Sequence, residues 1–130
     1  MQERRRETRK PLMAYSQVFD LYGGRLLGYL GDLTLQGAMV ISDKDLTVNS
    51  MLTLAIELPE LQNVTATRLI FPTRVVWCDQ DISPEYFNIG FELLLVKPEQ
   101  AEIIRAFVRQ YEFQREMPHY PIKPSASSKG

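Results

Sequence analysis

"LMAYSQVFDLYGGRLLGYLGDLT", residues 12–34, decides the fold. Two apolar-rich runs, 12–21 and 25–34, flank the tight sequence "YGGR". A pair of glycines supplies the positive φ that hairpin turns need, so Gly23-Gly24 predicts an antiparallel hairpin. The same grammar continues outward from it. "GAMVIS" (37–42) reads as a short strand and "DKDLTVN" (43–49) as a polar connection. Leu52, Leu54, Ile56 and Leu58 alternate with smaller or polar residues up to Pro59, the pattern of a strand buried on one face. Leu69, Phe71, Val75 and Trp77 share a further parity, with Pro72 signalling an edge or a bulge. Phe87, Ile89, Phe91, Leu93 and Leu95 then point one way along "YFNIGFELLLV" (86–96).

After these runs the period changes from two to that of a helix. Ile103, Ile104, Phe107, Val108 and Tyr111 form one stripe behind Pro98, a residue suited to a first helical turn. Glu99 and Glu102 come early, while Arg105, Arg109 and Arg115 come late, which matches the helix dipole. The expected architecture is mainly β: a six-stranded antiparallel β-barrel closed by a C-terminal α-helix. Residues 1–10 read as a mobile, arginine-rich N-terminal segment, 11–116 as barrel plus helix, and 117–130 as a flexible tail rich in Pro, Ser and Gly.

The chain of 130 residues fits one core, with 45% apolar and 24% charged residues. Cys78 is alone, so no disulfide framework is available, and a reducing compartment, the cytoplasm, is the expected location. No apolar run approaches the ~20 residues of a membrane span. His119 is the one histidine and falls in the tail, leaving the folded part without a Ser-His or Cys-His pair or a His/Cys metal cluster. Asp43/Asp45 and Asp79/Asp81 read as solvated acidic loops rather than a cation site. The chain is therefore not expected to be an enzyme, nor to hold a metal or cofactor.

Charge is the feature that points to function. "ERRRETRK" (3–10) holds five of the fifteen Lys and Arg residues, although the net charge is −1. A protein that coats nucleic acid carries its basic residues broadly, so this cluster implies a local anion site. With Gly23-Gly24 at the turn centre, an antiparallel register sets Tyr15 opposite Asp32 and brings Arg9 and Lys10 toward "DLTLQG" (32–37). Arginines, a carboxylate, a hydroxyl and a glycine then meet at one barrel rim. That set suits a guanine nucleotide: guanidinium groups fork onto phosphates or onto guanine O6 and N7, and a carboxylate accepts from guanine N–H groups. Four or five such charge-assisted bonds, at about 1.5–3 kcal/mol each, support micromolar or tighter binding.

"RRETR" (5–9) and "DLTLQG" (32–37) together resemble the paired signatures of the PilZ domain family, RxxxR followed by (D/N)xSxxG. Their order, the hairpin between them, "VVW" (75–77), "NIGFEL" (88–93) and the terminal helix strengthen the likeness over residues 3–115. The resemblance implies a six-stranded barrel that acts as a bacterial receptor for cyclic di-GMP. It places Arg5 and Arg9 at the motif arginines, Asp32 at the acidic position and Gly37 at the motif glycine. Thr34 stands where the family usually has serine, keeping the hydroxyl. Arg6 is a further phosphate contact on this view, and Arg4 occupies a position that bears on whether one ligand or a stacked pair binds. Gly37 is expected to permit a backbone turn. Trp77 offers a stacking face, but its place in an apolar alternation assigns it to the core. The implied mechanism is ordering of the arginine segment by ligand, relayed to an effector protein.

Two other classes compete with the receptor. A degenerate PilZ-like adaptor would bind protein and no nucleotide. An oligonucleotide-binding barrel would interleave basic residues with exposed aromatics along its strands. The strand aromatics instead share parity with Leu and Ile, which disfavours nucleic acid as a partner. No second domain is read from the chain, so the effector is expected in trans.

Overall fold

The computed structural model describes residues 13–113. The N-terminal arginines and the tail with His119 lie outside the described residues. Six strands, β2 (Gln17–Asp20), β3 (Arg25–Leu33), β4 (Gly37–Ser42), β5 (Met51–Glu57), β6 (Arg68–Gln80) and β7 (Phe87–Leu93), close into an antiparallel barrel in the order β2-β3-β4-β7-β6-β5. Helix α1 (Pro98–Gln110) follows β7. A small parallel pair, β1 (Met13–Ala14) with β8 (Glu112–Phe113), joins the two ends of the described chain. No helix among the described residues is long and apolar enough to cross a membrane.

Alternation explains the core. Leu54, Ile56, Leu69, Phe71, Val75, Ile89 and Phe91 point inward as their parity requires. From α1, Ile104 and Phe107 close the cluster. Phe107 meets Tyr111 and Phe113 edge to face, at centroid distances of 6.1 and 4.9 Å. Val108, expected in the same stripe, is on the exposed side of the helix, and Leu95 lies beyond the end of β7, also exposed. Pro98 begins the helix, where its missing N–H has no intrahelical partner to lose. Gln100 staples this end: its Oε1 accepts from Lys97 N–H (2.9 Å) and its Nε2 donates to the Ile70 carbonyl (2.9 Å). Pro72 pairs with Thr53 on one side. On the other it lies just past the last β6–β7 pair, Thr73 with Leu93, a local edge where no ladder needs its N–H.

The first hairpin differs from its expected register. Its turn takes four residues, Leu21–Gly24, because Asp20 organises it. The Asp20 carbonyl accepts from Gly24 N–H (2.8 Å) and its carboxylate from Gly23 N–H (3.1 Å). Gly24, at φ 69°, completes the turn. Asp20 therefore pairs with Arg25, and Tyr15 is not set opposite Asp32. Nor does one strand run through 12–21. The chain breaks at Tyr15–Ser16, and β1 leaves β3 to pair with β8.

Three bulges reset the parity of the long strands. Leu27 is the extra residue of β3 against β2, Gly31 the extra residue of β3 against β4, and Val76 the extra residue of β6 against β7. Leu27, Leu30 and Leu33 are three apart in sequence, yet all are buried, because a bulge falls between each and the next or on it.

Candidate functional site

Asp32, Thr34 and Gly37 lie together where β3 passes into β4. The turn between them is closed by Thr34. Its N–H donates to the Gly37 carbonyl (2.8 Å), and its hydroxyl oxygen accepts from the N–H groups of Gln36 and Gly37 (both 3.1 Å). These contacts use the hydroxyl to hold the loop. Asp32 accepts from Leu33 N–H at 2.9 Å, which orients its carboxylate. Gly37 differs from its expected role as a turn with special dihedrals, since its φ is not positive. A Cβ there would meet the Phe91 carbonyl oxygen at 2.6 Å, so glycine is required by the close approach of β7.

A cleft of about 220 Å³ opens on these residues. Its remaining walls include Met39, Trp77 and Gly90. The two bulges build it. Gly31 shifts Asp32 into register with Met39, out of the inward parity of Leu30. Val76 does the same for Trp77: Val75 is fully buried, while Trp77 is 40% exposed and pairs with Gly90. This corrects the assignment of Trp77 to the core. Strict alternation fails there because one inserted residue carries the next side chain to the other face. The indole lies flat on the Gly90 backbone, where a Cβ would come within 2.3 Å of its ring atoms. A stacking platform thus stands beside a carboxylate and a hydroxyl-closed loop.

The sequence reading weighed Trp77 as a stacking face and set it in the core, and it did not name Met39 or Gly90 for this cleft. A signal for Trp77 was present: "VVW" sets three large apolar residues in a row, which departs from the alternation of a strand buried on one face. Arg5, Arg6 and Arg9, with Lys10, lie outside the described residues, so their distance to the cleft is not part of this geometry. The acidic pairs sit elsewhere, with Asp81 accepting from Asn88 Nδ2 at 3.1 Å. Among the described residues, no group of three or more His, Cys, Asp and Glu side chains could hold a metal ion.

A family model for the PilZ domain matches residues 3–110. That span takes in "RRETR", "DLTLQG", the whole barrel and α1. No curated protein and no solved structure matches the chain.

Proposed function

The chain belongs to the PilZ domain family, and from that premise we propose that it is a receptor for cyclic di-GMP that passes the signal to a protein partner. The observation that carries this reading is the cleft at Asp32, Thr34 and Gly37 with an exposed indole in its wall. Asp32 accepts from a guanine amino or imino group, and Trp77 stacks on a purine with its outer face. Arg5 and Arg9 fork onto guanine edges and phosphates, with Arg6 as a further phosphate contact. Thr34 serves indirectly by fixing the loop that presents Asp32. Gly37 lets that loop lie against β7. Nothing in this chemistry breaks a bond, so the role is recognition and not catalysis.

Isothermal titration of cyclic di-GMP into the full chain tests the proposal. Saturable binding is expected, weakened tenfold or more, about 1.4 kcal/mol or more, by Arg5→Ala, by Arg9→Ala and by Trp77→Ala. Trp77 is the single tryptophan, so its fluorescence reports the same event without a label. No heat and no fluorescence change in saturating nucleotide would overturn the receptor and leave a protein-binding adaptor.

A further inference from the structure

A second concave surface lies between α1 and the loop after β5. The β5–β6 ladder ends with Leu58 N–H donating to the Thr67 carbonyl (2.9 Å). Pro59 follows and has no N–H with which to continue it. The chain then diverges and returns through the Leu61–Val64 bridge, with Asn63 at φ 65°. Thr65 and Ala66 are left exposed, and no backbone hydrogen bond joins them to another described residue. Facing them across a groove of about 660 Å³ is the side of α1 that carries Glu99, Glu102, Ile103, Ala106 and Arg109. Two long-range bonds fix the separation of the walls: Gln62 N–H to Gln110 Oε1 (3.0 Å) and Tyr111 O–H to the Glu60 carbonyl (2.9 Å).

We propose that this groove docks an extended segment of a partner protein, added as a short strand along Thr65–Ala66, with a cationic side chain against Glu99 and Glu102 and an anionic one against Arg109. Strand addition extends a sheet at exposed backbone without a partner, and Thr65 and Ala66, just ahead of β6, offer such backbone beside a helix, where main-chain bonds supply affinity and side-chain pockets supply selectivity. The order of charges along α1 gives the groove a direction. Glu99 and Arg109 are ten residues apart, about 15 Å along a helix axis. An extended chain advances about 3.3 Å per residue and presents alternate side chains to one face. Cationic and anionic residues four apart therefore span about 13 Å on the same face, within reach of both ends of α1. The side chain midway between them lies over Val64, Ile103 and Ala106, so a small apolar residue fits there. Glu102 bonds Arg105 at 2.9 Å, but that pair is solvent-exposed and its exchange for a partner's cation costs little.

The inference goes beyond the receptor reading, and its test contains no nucleotide, so the two stand or fall separately. The full chain, labelled with ¹⁵N, is titrated with the capped peptide Gly-Ser-Lys-Thr-Val-Thr-Glu-Ser-Gly and with its analogue carrying Ala in place of Lys and Glu. The first peptide is expected to shift the amide signals of Thr65, Ala66 and Ile103 in a saturable manner. The analogue is expected to bind at least tenfold more weakly, and Arg109→Glu to weaken the first peptide similarly. N-methylation of the peptide's central valine is expected to remove the Thr65 and Ala66 shifts. Absence of saturable shifts at Thr65 and Ala66, or equal affinity for the two peptides, would overturn the proposal.

Discussion

Single atoms separate the glycines of the site into two kinds. At Gly37 the obstacle to a side chain is the Phe91 carbonyl oxygen, a backbone atom held by the β4–β7 ladder. Gly37→Ala is therefore expected to destabilise the fold by about 1–3 kcal/mol, the usual cost of overpacking where neighbours cannot yield. Urea unfolding reads this as a lower midpoint at unchanged slope. At Gly90 the obstacle is the Trp77 indole, which can swing toward solvent. Gly90→Ala is expected to cost less stability but to red-shift tryptophan emission and weaken nucleotide binding, because the platform moves. A Gly90→Ala variant with wild-type emission would show that the indole does not rest on that backbone. Thr34 illustrates how far a motif position is readable: the hydroxyl was legible in the sequence, whereas its occupation by two backbone N–H groups depends on the turn's actual path.

Bulges and the helix matter most at the scale of elements. Gly31 and Val76 each insert one residue, and together they bring Asp32 and Trp77 into one outer cleft. Helix α1 contributes the fully buried Phe107, whose ring holds Tyr111 and Phe113 edge to face. Phe107→Ala is expected to cost about 3–5 kcal/mol through lost burial and the cavity left behind. By contrast, Arg74 bonds Glu92 (2.8 Å) and Asn49 (2.7 Å) on the barrel's wet face. Arg74→Ala is expected to cost under about 1 kcal/mol, as partly exposed ion pairs do. Chemical denaturation of both variants checks the contrast, and equal losses would mean that α1 is not part of the cooperative core.

At the scale of the whole molecule, the β1–β8 pair ties the start of the described chain to the segment just after α1. Residues 3–10 run within a few positions of Met13, and Met13 and Ala14 pair with Glu112 and Phe113, just beyond α1. If nucleotide orders the arginine segment, the constraint reaches β8 through these rungs, and binding at one end is coupled reciprocally to the other. Amide exchange at Glu112 and Phe113 is expected to slow in saturating cyclic di-GMP. Slowing confined to residues 32–37 would show that the effect stops at the cleft. The same route reaches Gln110 and Tyr111, which hold the groove beside Thr65–Ala66.

The strands, the closing helix and the paired signatures could be read from residue order, because each is a local pattern. Alternation marks Leu54, Ile56, Leu69 and Phe71 as inward-facing wherever the strand is regular, and Pro98 with the 103–107 stripe marks the helix. The break at Tyr15–Ser16 and the outward face of Trp77 were decided by the tertiary structure, whereas the four-residue turn rests on the local bonds of Asp20. Closing six strands into a barrel fixes their tilt and stagger jointly, and the extra residues that absorb the mismatch fall where the curvature demands them. One such residue inverts the parity of everything after it. Local periodicity places the core of this barrel, but only closure of the sheet places Asp32 and Trp77 in one cleft.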